Sequence, residues 1–316
     1  MSFSKKILFI STNEWVPFGG SEVLWSNTAL KLSEKNIQCF FSVKKFNTLP
    51  PEINKLTMTG LEGYFRENPR IKKLSLRLFN RIAPAKLQVK PQREIFNYIL
   101  KLKPDLTVLN IGDQTCLFAI EYAEFLQKYN LDYCNIIQLV DPYRYFYDSI
   151  FEGGISLYAS AKINFFVSHQ NKELVERLLA RKLNNSMIIP NPFNFHQTDI
   201  PPYPDNGDGF NLALVARLEP VHKGHDILLE TLSMEKWKKR QLRVNLYGDG
   251  NGSLYLKKLK QHLELEQITF HGHVKDKSEI WANNHCLIAP SRMEGQSLTL
   301  LEAMSYERMV IASDVG

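Results

Sequence analysis

Two separate series of short apolar runs, each alternating with helical stretches, restrict this chain to an α/β fold built on parallel sheets. The first series opens on Lys6–Ser11 (KILFIS), an apolar run bounded by turn-formers, as a buried parallel strand requires. Past the loop 13–20, Ser21 is expected to cap a helix reaching Lys35, with Val23, Leu24, Ala29, Leu30 and Leu32 on its apolar side. Strands are predicted over Ile37–Val43, Leu106–Ile111, Tyr133–Val140 and Ile163–Val167, with helices near Cys116–Tyr129 and Ser168–Leu179. After a last run at Met187–Pro190 the texture changes. Asn191, Pro192, Pro201, Pro202, Pro204, Gly207 and Gly209 punctuate the best linker in the chain. The alternation then restarts, with strands at Leu212–Val215, Arg243–Tyr247, Ile268–Phe270, Cys286–Ala289 and Met309–Ala312. The expectation is two Rossmann-like domains, 1–195 and 211–316, joined by a linker over 196–210. Ligands would sit in a cleft outside the carboxyl ends of the strands. Because residue 316 follows a strand directly, the second domain is expected to be incomplete.

Composition excludes several classes. Apolar residues make up 44% and charged residues 23%, which suits a folded globular protein. No run approaches the ~18 apolar residues of a spanning helix, and the N-terminus lacks a cleavable leader pattern, so a cytoplasmic protein is expected. Cys39, Cys116, Cys134 and Cys286 are far apart, which suggests neither a disulfide framework nor a zinc site. The net charge of +6 is uneven: between Phe65 and Lys103 there are eleven Lys or Arg residues and two acids, Glu67 and Glu94. That concentration marks a surface with a particular partner.

The most specific string is Pro290-Ser291-Arg292-Met293-Glu294-Gly295-Gln296-Ser297-Leu298-Thr299-Leu300-Leu301-Glu302-Ala303-Met304. It places two glutamates on a strand–loop–helix turn. Ser297 is the expected N-cap, and the backbone N–H groups of Gly295, Gln296, Ser297 and Leu298 can converge on an anion at the positive helix end. Glu302 lies on an otherwise apolar helix and requires a hydrogen-bonded partner, for which a ribose diol is suitable. The plainer reading is a surface glutamate and a turn glutamate. Arg217, Lys223 and Gly224 lie between another strand and helix. A departing diphosphate gains charge, so fixed cations there favour the transition state over the ground state; a solvated loop pair is the alternative. Weaker signals are the turn from Gly248 to Gly252, the His271-Gly272-His273-Val274 segment at a strand end, and Gly19-Gly20 after the first strand. The glycine pair would let the main chain approach a sugar or phosphate, or would simply form a tight connection. Two histidines without a third ligand do not make a metal site.

The strings ARLEPVHKG, NLYGDG, FHGHV and APSRMEGQSLTLLEAMS, in that order, resemble the donor-binding half of the group 1 glycosyltransferases (family four, retaining, GT-B fold). STNEWVPFGGSEVLWS is similar to their first N-terminal loop. The resemblance implies metal-independent transfer of a hexose-type sugar from a nucleotide-diphosphate donor to a glycan or lipid-linked acceptor, with no cofactor. It implies a role in building envelope polysaccharide. Arg217 and Lys223 would hold the diphosphate, Glu302 the ribose, and Glu294 with Gly295–Leu298 the donor sugar. Val274 would flank the base, and Gly248, Gly19 and Gly20 would line the donor. The chain departs from the family pattern at Asp141, where a histidine is common, and at Gln296 and Ser297, where an aromatic and a glycine are common.

An inactive nucleotide-sugar-binding protein of the same fold is the competing reading. A dinucleotide-dependent oxidoreductase fits poorly, because no G-x-G-x-x-G follows the first strand. Residues 70–83 read as a basic amphipathic helix: Ile71, Leu74, Leu78 and Ile82 fall on one side, with Lys72, Lys73, Arg77 and Arg81 around it. This segment is expected to meet an anionic membrane surface, at the inner face of the cytoplasmic membrane, or an anionic acceptor; the plainer reading is an apolar stripe packed on the N-terminal sheet with its charges solvated. Nucleic acid is not expected, since few aromatics are available for stacking.

Overall fold

The computed structural model describes residues 5–14, 17–67, 93–192, 200–205, 207 and 209–316. The basic segment 70–83 lies outside the described residues, as does part of the expected linker. The chain divides into two compact units, Met1–Asn191 and Pro192–Gly316, each described here by itself.

The first unit carries a parallel sheet of order β3-β2-β1-β4-β5-β6-β7, with β1 at Lys6–Ser11, β2 at Gln38–Lys44, β3 at Glu62–Arg66 and β4 at Leu106–Ile111. β5 is Tyr133–Ile137, β6 is Asn164–Phe166 and β7 is Ser186–Ile188. Its helices, in chain order, are α1 (Gly20–Ser33), α2 (Pro51–Met58), α3 (Arg93–Leu102), α4 (Leu117–Lys128), α5 (Asp148–Ala159) and α6 (His169–Leu178). Successive side chains of β1 enter different cores. Leu8 and Ile10 join Leu109, Ile137 and Phe166, whereas Phe9 joins Trp25, Phe41 and Val108. Both faces are thereby covered, which is why these strands read as continuous apolar runs.

The second unit repeats the pattern with the order β10-β9-β8-β11-β12. Its strands are β8 (Phe210–Val215), β9 (Leu242–Tyr247), β10 (Ile268–Gly272), β11 (Cys286–Ala289) and β12 (Met309–Ala312). The helices are α7 (Pro220–Lys223), α8 (His225–Ser233), α9 (Glu235–Lys238), α10 (Ser253–His262), α11 (Lys277–Ala282) and α12 (Leu298–Ser305). Leu212 and Leu214 of β8 face one core, and Ala213 and Val215 face the other with Trp281 and Ala303.

Several sequence expectations need correction. Ser21 does not cap α1: the N-cap lies two residues earlier, at the extended Gly19, with no side-chain cap. The hydroxyl of Ser21 instead donates to Glu22 at 3.2 Å. α2, β3, α3 and α5 were not anticipated. α5 was hidden by Gly153 and Gly154, which look like breakers. A Cβ on Gly153 would stand 2.8 Å from Ile120, and one on Gly154 would stand 2.6 Å from Phe146, so the pair is there for close packing of α5. Cys39, Cys134 and Cys286 are buried free thiols, and Cys116 is a partly buried one.

Candidate nucleotide-sugar site

In the second unit β8 pairs with β9 on one side and β11 on the other. The strand order reverses there, and the loops leaving the carboxyl ends of β8 and β11 frame the crevice where open parallel sheets take ligands. The loop after β8 carries Arg217 and Lys223; the loop after β11 carries Glu294.

These two loops are tied together. The N–H groups of Arg292 and Met293 both donate to the carbonyl of His222, at 2.8 and 3.4 Å. The Arg292 guanidinium donates to Pro220 O at 2.8 Å and grips Asp226 with two bonds of 2.7 and 2.9 Å. Burial alone would raise the Asp226 carboxyl; Arg292 and nearby backbone N–H groups outweigh it and hold the group below its usual range. Gly224 ends α7 with a left-handed φ of +63°, and a Cβ there would stand 1.9 Å from the Pro290 carbonyl oxygen. Lys223 Nζ donates to Glu294 Oε1 at 2.6 Å, and Ser291 Oγ donates to the same oxygen at 2.8 Å. The Lys223 and Glu294 side chains are only 22% and 13% exposed. Two of the expected functional groups are therefore in direct contact. The three ammonium protons of Lys223 leave capacity beyond Glu294.

Arg217 is more open, 56% exposed, and pairs with Glu219 at 3.3 Å. The glycine-rich turn after β9 has a role inside the protein. A Cβ on Gly248, at φ +130°, would lie 2.1 Å from Ala216 O, and one on Gly250 would lie 2.7 Å from Leu218 O. These glycines let the turn seat against the loop that carries Arg217, where Leu218 N donates to Asp249 O at 3.1 Å. The weak phosphate or ribose signal thus has a packing explanation.

Ser297 is the N-cap of α12, but its hydroxyl pairs with Thr299 Oγ1 at 2.9 Å and makes no cap bond. The first N–H groups of a helix lack intrahelical partners by geometry. Gly295, Gln296, Ser297 and Leu298 lead into that end. Glu302 is buried on the same helix at 3% exposure. It accepts from Trp281 Nε1 at 3.0 Å and lies 3.6 Å from Lys277 Nζ. Burial pushes its carboxyl above the usual range, and Lys277 and Trp281 offset this only in part. Val274 packs against the core that holds Trp281. His271 is held by stacking on Tyr247, with centroids 4.6 Å apart, and by a 2.8 Å contact with Asn245 Oδ1. Among the described residues no three His, Cys, Asp or Glu side chains gather as metal ligands do.

A family model for glycosyl transferases of group 1 matches residues 209–316. Over that stretch the C-terminal unit resembles a group 1 glycosyltransferase domain. Poly(ribitol-phosphate) alpha-N-acetylglucosaminyltransferase of Staphylococcus aureus (strain COL) is 26% identical over 102 residues, a match spanning 32% of this chain and 20% of that relative. Anabaena HepE, solved with UDP-glucose, superposes with a TM-score of 0.70 at 17% identity, covering 99% of this chain and 81% of that one. S. aureus TarM, solved with fondaparinux, alpha-GlcNAc-glycerol and UDP, gives 0.67 at 12% identity, covering 98% and 86%. These likenesses show the fold alone: two Rossmann-like domains of the GT-B type.

In the N-terminal unit of this glycosyltransferase-like chain, Gly19 and Gly20 open α1 after β1. Just inside that end, Glu22 is buried at 2% exposure. It accepts from Ser11, Asn13, Ser21, Trp25 and Asn110. Burial raises this carboxyl too, against the lowering effect of its donors. Asp141 is 16% exposed; its side chain accepts from Tyr143 N at 2.9 Å and lies 3.5 Å from Arg144 Nε, so it shapes its own turn.

Sequence reasoning missed Asp226, Arg292, Ser291, Lys277 and Trp281. The Arg292–Asp226 pair spans 66 positions, a separation no local pattern reveals. His225, fully buried beside Gly224, also went unremarked; burial lowers it to about 4, so it is neutral at pH 7. Among the described residues no helix is long and apolar enough to cross a membrane.

Proposed function

We propose that the chain transfers a hexose-type sugar, with retention at the anomeric carbon, from a nucleotide-diphosphate donor to a glycan or lipid-linked acceptor. The observation that carries this reading is the Lys223–Glu294 contact at the point where the strand order reverses. A cation and an acid in contact at such a crevice can divide the labour of the reaction. As the bond from the anomeric carbon to the diphosphate breaks, negative charge grows on the departing phosphate. Lys223, preorganised by Glu294, and Arg217, with its planar fork, stabilise that charge. Glu294 and the Gly295–Leu298 backbone face the sugar, Glu302 the ribose, and Val274 the base. Gly248 shapes the loop that carries Arg217. On the N-terminal side the reading assigns Gly19, Gly20 and Asp141. No protein-held metal and no cofactor takes part in this scheme.

The relatives support the donor class: one is named an N-acetylglucosaminyltransferase, and two were solved with UDP or UDP-glucose. The test is incubation of the full chain with UDP-, GDP- and ADP-sugars, each with and without glycan acceptors, following nucleoside diphosphate release. One donor should give release that Lys223→Ala abolishes, and proton NMR of the product should show the donor's anomeric configuration. Binding of a nucleotide sugar without turnover on any acceptor would favour the inactive binding protein.

A further inference from the structure

At the carboxyl rim of the N-terminal sheet, at the ends of two strands that carry none of the residues assigned above, two cations stand side by side. Lys44 ends β2 and Arg66 ends β3, and the two are direct partners in the parallel register. Like charges directly opposite each other on neighbouring strands repel, and partial burial strengthens the repulsion by lowering the local dielectric. Both side chains are largely covered, at 16% and 11% exposure. Among the described residues one carboxylate lies within 4 Å of either: Glu14, whose Oε1 is 3.1 Å from Arg66 Nη2 and whose Oε2 is 3.9 Å from Lys44 Nζ. The cluster therefore carries a net charge of about +1 in a half-buried setting that disfavours uncompensated charge.

Its geometry is fixed. Arg66 donates to Ser42 Oγ at 2.9 Å and to the carbonyl of Ser11. Lys44 donates to the carbonyl of Glu14, its one hydrogen bond among the described residues, which leaves ammonium protons without an acceptor. Ser11 ends β1, so three adjacent strands present this cluster at the end of the sheet where parallel α/β folds take ligands.

We infer that Lys44 and Arg66 form an anion site that binds a phosphate group. A phosphate supplies the missing negative charge and enough acceptor oxygens for both cations. The site exists whether or not the chain is a transferase; its use as an anchor for a phosphate-bearing acceptor rests on the transferase reading.

The experiment is titration of the full chain with two probes. One is glycerol phosphate in solution; the other is vesicles of phosphatidylglycerol, with phosphatidylcholine vesicles as the neutral control. Lys44→Gln should weaken binding at least 5-fold. Glu14→Gln should tighten it several-fold, because the competing carboxylate is gone. Lys239→Gln, at an exposed position in the other unit, should change nothing. The Lys44→Gln factor should be the same in a Lys223→Ala background, which separates this site from the donor site, and affinity for nucleoside diphosphate should be unaffected. A response to Lys44 and Glu14 with glycerol phosphate assigns a soluble phosphate source, and the same response with vesicles alone assigns a lipid headgroup. If both substitutions leave both probes unchanged, the cluster only fastens the β1 loop to β3 and the inference fails. That failure would leave the donor chemistry untouched, just as an inactive donor site would leave this phosphate binding in place.

Discussion

Replacing Gly224 with alanine separates two costs that are usually confounded, because the same unit holds a matched control. Gly224 and Gly272 have nearly equal left-handed φ values, +63° and +69°. A Cβ on Gly272 meets nothing closer than Asp249 Oδ1 at 3.6 Å, an ordinary contact, whereas one on Gly224 would lie 1.9 Å from Pro290 O. Placing an L-residue in the left-handed region costs about 1–2 kcal/mol, partly offset by the lower entropy of the unfolded alanine chain, about 0.4–1 kcal/mol. Gly272→Ala should therefore destabilise by about 1 kcal/mol. At Gly224 the Pro290 carbonyl must also retreat by at least the 1.1 Å between 1.9 Å and the 3.0 Å floor of real contacts. Backbone shifts of this kind cost about 1–3 kcal/mol more, so Gly224→Ala should lose about 3 kcal/mol. Urea unfolding followed by circular dichroism measures both. With a slope of about 2–3 kcal/mol per molar, the Gly224 variant's midpoint should fall by about 1 M and the Gly272 variant's by less than half of that. Because the displaced segment carries Glu294, kcat/KM of the folded Gly224 variant should fall as well. Equal midpoint shifts for the two variants would refute the claim that the loops are locked by contact at Gly224.

Other expectations are equally direct. Lys223→Ala should lower kcat by about 10²–10³-fold while costing at most about 1 kcal/mol of stability, since the ion pair is partly solvated; steady-state kinetics beside a melting curve decide this. Glu302→Gln should weaken nucleoside diphosphate binding about 10-fold, and Glu294→Gln should mainly lower kcat, because only the first contact is made equally in ground and transition states; calorimetric titration of both variants is the check. The Glu302 carboxyl is raised in the folded state. Its contribution to stability is thus fully present below the usual carboxylate range and is lost as pH rises through the folded value. The stability of Glu302→Gln relative to the parent should rise with pH from the usual carboxylate range upward and level off above the folded value, as urea titrations at successive pH values will show.

The parts of this molecule that sequence alone revealed are those governed by local periodicity and short strings. KILFIS, the strand before Arg217 and the helix carrying Glu302 each stand within a residue or two of their expected places, because a strand covered on both faces is apolar throughout. β3 escaped because Glu62, Gly63, Tyr64 and Arg66 do not form such a run: it is an edge strand, covered less completely. The site residues were visible as candidates, but their mutual arrangement was not. That Lys223 meets Glu294 rather than open water, and that Glu302 already has Trp281 and Lys277, follow from pairings across 71 and 21 positions. Only the folded sheet creates these contacts.

The position of β8 has a consequence for how the chain is born. This strand is the first of its unit to leave the ribosome, yet it sits in the middle of the sheet. Its partner β9 follows within a few tens of residues, but the strand that closes its other edge begins only at Cys286. At synthesis rates of roughly 5–20 residues per second, the interval from Val215 to Cys286 lasts roughly 4–14 s. Throughout it the nascent chain displays an apolar, unpaired edge of the kind that recruits chaperones or a neighbouring polypeptide. Slowing translation between these two strands should therefore lower the soluble yield of the protein more than slowing it after Ala289.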